Sequence, residues 1–121
     1  PHTGDFREGH VIEQAYQLNC KPVCVFGTST DTPIDMPYLS ISDANIICET
    51  IKLAENGEGL ILRMYEAYGR QTSAVWNYGN TAQRAFECDM MENKMCELPQ
   101  THDGFNATFM PYEIKTFLLV L

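Results

Sequence analysis

The stretch ETIKLAENGEGLILRMYEAYG, residues 49–69, decides the fold. Asn56-Gly57 near its centre is the strongest short hairpin signal, since the favoured two-residue turns need the positive φ that Asn and Gly tolerate. Before the turn, residues 46–54 alternate, with Ile47, Glu49, Ile51 and Leu53 on one side and Ile46, Cys48, Thr50 and Lys52 on the other. Neither side is fully polar, so both faces of this strand are expected to be partly covered. After the turn, residues 60–68 put Leu60, Leu62 and Met64 on one face and Ile61, Arg63, Tyr65 and Ala67 on the other. Two antiparallel strands are predicted.

Outward from this hairpin the pattern repeats. Gly69 and the Gly79-Asn80 turn bound a strand over residues 73–78, in which Ala74, Trp76 and Tyr78 share a face. Residues 83–91 fit either a strand, with Phe86, Cys88 and Met90 alternating, or a helix, and the strand is preferred. A polar loop holding Pro99 and residues 102–104 follows, then Phe105, Ala107 and Phe109 alternate, and Pro111 separates them from a last strand over residues 114–121. Toward the start, PHTGDFREGH reads as loop, and VIEQAYQLN as a short helix with apolar residues at 11, 12, 15, 16 and 18. Pro22 ends that helix before a short strand candidate at residues 23–26, and residues 27–37 form the obvious long loop. The expectation is a mainly β, antiparallel sandwich with one short N-terminal helix, a single domain over residues 1–121.

Composition narrows the partners. Sixteen acidic against eight basic residues leave a formal charge of -8, which repels phosphate backbones and anionic membrane surfaces, so neither nucleic acid nor membrane is expected. No apolar run approaches the roughly 20 residues of a membrane helix. Cys20, Cys24, Cys48, Cys88 and Cys96 are odd in number and spread singly, a usage that points to a reducing, cytoplasmic setting. The opening on Pro1 and the closing FLLVL are read as marks of a piece cut from a longer protein.

Four strings in order, PHTGDF, VIEQAYQLN, ETIKLAENGEGLILRMYEAYG and MPYEIKTFLL, together resemble the C-terminal β domain of glycoside hydrolase family 38, the retaining α-mannosidases, most closely the cytosolic branch and its bacterial relatives. The resemblance implies a galactose-mutarotase or supersandwich-like β-sandwich. It also implies a parent enzyme that hydrolyses terminal α-linked mannose from oligosaccharides, with the aspartate nucleophile, the acid and a divalent metal, usually zinc, in a separate N-terminal domain. No cofactor is then expected in this chain, and its partners would be the rest of the parent chain and, through it, a mannose-containing oligosaccharide. The DRSxG-type motif that carries a sugar-proximal arginine in other branches is absent here, so that role is not given to Arg63.

Among the acidic residues, Glu66 with Glu113 is the carboxylate pair most easily offered for glycosidase chemistry. Glu66, close to Arg63 in a paired strand, is expected instead to accept structural hydrogen bonds. His2 and Asp5, in a glycine-containing loop, are expected at a pocket edge of the intact enzyme. Cys20 and Cys24 have three residues between them and no second ligand pair, so buried or half-buried free thiols are expected rather than a metal site. Tyr65, Tyr68, Trp76 and Tyr78 could stack a sugar ring, as in an independent carbohydrate-binding module, but aromatic residues in strands more often fill a core. Asn106-Ala107-Thr108 fits the N-glycosylation pattern, which matters only in a secreted protein.

Overall fold

A computed structural model describes residues 3–24, 39–79 and 83–120, and the chain divides into two compact units, residues 1–33 and 34–121. In the first unit, Asp5 Oδ1 accepts the Arg7 and Glu8 amides at 2.8 and 3.1 Å, folding a tight turn that leads through His10 at φ 50 into helix α1, Val11–Asn19. The helix stops where the Cys20 amide bonds to Tyr16 O at 2.7 Å, one residue before Lys21-Pro22, and no α1 residue is buried. Residues 21–24 have no regular structure, and the rest of the expected strand at 23–26 lies outside the described residues, as does the expected loop at 27–37.

The second unit is the expected antiparallel sandwich. One sheet holds β1 (Leu39–Ile41), β4 (Thr72–Tyr78), β7 (Gln100–Thr101) and β8 (Gly104–Phe109), in the order β1-β4-β8-β7. The other holds β2 (Ile46–Leu53), β3 (Leu60–Glu66), β5 (Arg84–Cys88), β6 (Lys94–Glu97) and β9 (Ile114–Val120), in the order β2-β3-β9-β5-β6. Alternation decides what goes inside: Leu62, Met64, Ala85, Phe117 and Leu119 from the five-stranded sheet meet Ala74, Trp76, Phe105, Ala107 and Phe109 from the other. Trp76 lies against Phe105 and Phe117 with ring centroids 5.1 and 5.3 Å apart, and each aromatic buried this way contributes on the order of 2–3 kcal/mol.

The β2–β3 hairpin forms at Asn56-Gly57, with Leu53 opposite Leu60 and Gly57 at φ +75. A β-bulge between Cys48 and Thr50 corrects the simple alternation read from β2. Cys48 pairs with Met64 and faces the core, Glu49 is the extra residue, and Thr50 pairs with Arg63 on the outer face. The bulge thus moves Thr50 and Lys52 away from the side that Ile46 and Cys48 occupy.

That outer face is not bare. Ala54, Ile61, Cys88 and Leu118 form a second apolar cluster with Phe86 packed against it. A polar strap joins the β2–β3 hairpin to the β5–β6 segment: Lys52 Nζ pairs with Glu92 at 2.6 Å, Glu92 accepts the Glu55 amide at 2.9 Å, and Lys94 pairs with Glu58. Lys94 and Arg84 also lie over the Phe86 ring at 5.0 and 4.8 Å.

Two expectations for the late chain are corrected. The preferred strand over residues 83–91 is limited to Arg84–Cys88, because the Asp89 side chain accepts the Met91 and Asn93 amides and turns the chain. The supposed polar loop after it holds β6 and β7, whose residues are all exposed and so leave no apolar alternation to read. At Gly104, φ is +133 and an added Cβ would lie 2.4 Å from Trp76 O, so only glycine lets β8 approach β4 this closely.

Candidate functional site

Among the described residues, polar side chains gather away from water at the end of β3. Glu66, Asn45, Thr72 and Thr116 are the buried polar residues among those described, and the first three are linked through Asn45, which bonds to both Glu66 and Thr72. Glu66 Oε1 accepts Asn45 Nδ2 at 2.8 Å and the Tyr68 amide at 2.7 Å. Its Oε2 accepts the Gly69, Arg70 and Tyr112 amides at 2.7, 3.2 and 3.0 Å. Asn45 spends its remaining capacity on Thr72 Oγ1 at 2.8 Å, on the Arg70 guanidinium at 3.0 Å and, through its carbonyl, on the Ala67 amide. One carboxylate therefore joins the β1–β2, β3–β4 and β8–β9 loops.

The local backbone is shaped for this. The strand expected to run to Tyr68 ends at Glu66, because the next amides turn inward to the Glu66 carboxylate instead of continuing a ladder. Gly69 sits at φ +73 against the Tyr112 ring, where an added Cβ would lie 2.5 Å from Tyr112 Oη. Tyr112 itself takes φ 60, which aims its amide at Glu66. Burial pushes the Glu66 carboxyl up, and the bonds from Asn45 and from the Tyr112, Tyr68 and Gly69 amides outweigh it, holding the group at about 2.

A carboxylate with five donors and no solvent exposure can neither abstract a proton nor attack a sugar carbon. Glu113, its suggested catalytic companion, accepts the Met110 amide at 2.7 Å, and its own carbonyl accepts the Glu66 amide at 3.0 Å. The arrangement holds loops together. Arg63 Nε reaches Thr116 Oγ1 at 3.4 Å across β3 and β9, on the outer face of the sheet.

The remaining sequence-based sites are dispersed. His2 lies outside the described residues, while Asp5 is occupied with the turn before α1. Cys20 and Cys24 are exposed rather than buried or half-buried: α1 buries nothing, and residues 21–24 have no regular structure. Burial pushes the Cys48 thiol up to about 11 and the Cys88 thiol also upward, so both stay protonated at neutral pH. No three His, Cys, Asp or Glu among the described residues are placed to hold a metal ion. The proposed aromatic platform does not form: Trp76 is 1% exposed, and Tyr78 packs on the same core, unlike the half-buried Tyr65 and Tyr68.

Asn45 and Tyr112, the two partners that complete the site, were not anticipated. Asn45 stands just before an apolar strand and Tyr112 follows Pro111, where such residues ordinarily serve turns. The available signal was Glu66 at a strand end followed by Ala-Tyr-Gly, a local pattern for a side chain that collects amides.

Comparison with known proteins places this architecture. The sequence model of the glycosyl hydrolases family 38 C-terminal beta sandwich domain matches residues 45–117, which span the chain from Asn45 to Phe117 and more than half its length. The chain belongs to family 38. It is 30% identical to human alpha-mannosidase 2C1 over 126 aligned residues, which cover 100% of this chain and 12% of that protein. Alpha-mannosidase G of Dictyostelium discoideum is 31% identical over 132 residues, covering 99% of this chain and again 12% of the relative. The family 38 match takes in all five residues of the Glu66 knot that bond through side chain or amide, Asn45, Tyr68, Gly69, Arg70 and Tyr112. No helix among the described residues is long and apolar enough to cross a membrane.

Proposed function

We propose that residues 1–121 act as a non-catalytic C-terminal domain of a cytoplasmic, retaining α-mannosidase, one that removes terminal α-linked mannose from oligosaccharides with a divalent metal, zinc, held in a separate N-terminal domain. The observation that carries this reading is the match of essentially the whole chain to a 12% portion of named α-mannosidases, in a fold whose one fully buried carboxylate among the described residues is saturated by structural donors. In this reading the metal and the reacting carboxylates belong to the parent's other domains.

The test pairs two proteins. The full-length enzyme should release mannose from p-nitrophenyl α-mannoside with retention, whereas residues 1–121 alone should neither hydrolyse it nor give a calorimetric signal with mannobiose. Micromolar binding by the isolated chain would instead support an independent carbohydrate-binding module, a different class of protein.

Within the parent, His2 and Asp5 are proposed to edge the sugar pocket, supported by the tight, polar turn that Asp5 builds. Asp5→Ala in the full-length enzyme should raise KM severalfold with little change in Tm. Unchanged kinetics and unchanged Tm would remove the pocket-edge role.

A further inference from the structure

We propose that Asn56 is a site of spontaneous covalent modification, at which the Gly57 amide nitrogen displaces ammonia from the Asn56 side chain and leaves aspartate or isoaspartate in the β2–β3 turn. The chain has seven asparagines, and only Asn56 is followed by glycine. Ring closure onto a side-chain amide is fastest at a main-chain nitrogen that nothing screens. Among the described residues, no atom lies within 4 Å of the place a Gly57 Cβ would take. The turn also arranges the electrophile. Asn56 Oδ1 accepts the Glu58 amide at 3.0 Å, an Asx turn that folds the side chain forward along the chain, toward the amides that follow it. The same N–H polarises the Cγ carbonyl and stabilises the negative charge that grows on Oδ1 as the nitrogen attacks. One contact opposes the reaction: the Gly57 amide donates to Ala54 O at 2.9 Å and must leave it before its proton goes to solvent hydroxide. That is a single bond at a hairpin tip, which opens without unfolding either strand. Asn45, by contrast, is buried with both side-chain atoms bonded, and the side chains of Cys20 and Lys94 crowd the nitrogens that follow Asn19 and Asn93.

In the reaction the bond between Gly57 N and Asn56 Cγ forms, the Cγ–Nδ2 bond breaks, and Nδ2 leaves as ammonia with a proton returned by solvent. The succinimide ring then takes up water at either carbonyl. Opening one way gives aspartate at position 56; opening the other way gives isoaspartate, in which the main chain runs through the former side chain. No electrons change hands, and water is the only co-reactant. Either product adds a negative charge beside Glu55 and Glu58, and isoaspartate also lengthens the turn. The extra length has to be taken up at residues 55–58, because Gly59 is pinned on β9, where an added Cβ would lie 2.1 Å from Leu119 O. The contacts that these residues make with the β5–β6 segment, Glu58 with Lys94 and the Glu55 amide with Glu92, are therefore the first to loosen.

The test ages the folded full-length protein in mildly alkaline buffer and maps its peptides by mass spectrometry, with protein isoaspartyl methyltransferase reporting isoaspartate. Asn56 should convert first of the seven asparagines, with isoaspartate formed at that position. Asn56→Gln, whose longer side chain has to close a six-membered ring, should slow ammonia release from this site by more than an order of magnitude. Trp76→Phe weakens the sandwich without touching the turn and should leave the rate at Asn56 unchanged. In the aged protein the Glu55 amide should exchange its hydrogen faster, while the amides of β3 and β9 keep their protection. Conversion of another asparagine ahead of Asn56 would overturn the proposal. So would a rate at Asn56 that rises in Trp76→Phe, since the reaction would then belong to the unfolded chain and not to the turn.

Discussion

Glu66→Gln lowers the unfolding free energy of the chain at pH 7 by about 3–5 kcal/mol, and chemical denaturation measures it. The substitution is nearly isosteric, so the loss comes from hydrogen bonding rather than from a cavity. A carboxamide keeps one acceptor oxygen, whereas the carboxylate serves five donors, three of them on Oε2. Turning the amide nitrogen toward either set opposes N–H to N–H and leaves buried amides unsatisfied, each at about 1–3 kcal/mol. Relaxation of the 68–70 and 110–113 loops toward water recovers part of this, which keeps the total below the sum.

The same residue sets a pH dependence. Its carboxyl stands at about 2 in the folded chain against 4.5 for an ordinary glutamate, so the unfolded state binds the proton first as pH falls. The stabilisation is fully present above about pH 4.5 and is lost progressively as pH drops toward 2. Glu58, Asp89, Glu92 and Glu97 are also held below their ordinary values, by Lys94, Asn93, the Glu55 amide and Arg84 respectively, and they add losses of the same sign. The difference between wild type and Glu66→Gln isolates one residue: it should be large at pH 7 and shrink across the acid window. A gap that stays constant from pH 7 to 3 contradicts the assignment.

Trp76 carries the second large effect, and here size and polarity separate. Trp76→Ala removes the side chain that sits between Phe105 and Phe117 at the centre of the core and should cost about 3–5 kcal/mol. Trp76→Phe should cost far less, about 1–2 kcal/mol, although it also leaves a void. The phenyl ring refills most of the space that alanine leaves empty, and both variants also lose the indole nitrogen, which is buried without a hydrogen-bond partner among the described residues. Replacing it with carbon removes an orphaned donor and returns part of the packing loss. Equal destabilisation by the two variants would contradict the packing role given to the ring at this position.

Where alternation coincided with burial, the residues announced their structure. β3, β4 and β8 each carry apolar residues at alternate positions, and each lies with that face on the core, while the continuous apolar run of β9 is covered on both faces. β6 was illegible because an edge strand with four exposed residues has no face to encode. β1 spans three residues beside a long polar stretch, too short for a period to show. The bulge at Glu49 was hidden for another reason: a one-residue insertion leaves composition unchanged and is visible only in the pairing with β3. Glu66 was anticipated as a hydrogen-bond acceptor, but its donors come from positions 21 residues before and 46 residues after it, a closure no local pattern contains.

The placement of β9 has a consequence in time. It pairs with β3 on one side and β5 on the other, so the last strand of the described chain is the middle of its sheet. Until residues 114–120 have been synthesised, β2–β3 and β5–β6 are two separate hairpins with exposed edges and no common core. Folding of this unit therefore waits on long-range pairings such as Leu62 with Phe117, 55 residues apart, and is correspondingly slow. During that interval the unpaired edges of the hairpins are open to pairing with the wrong strand.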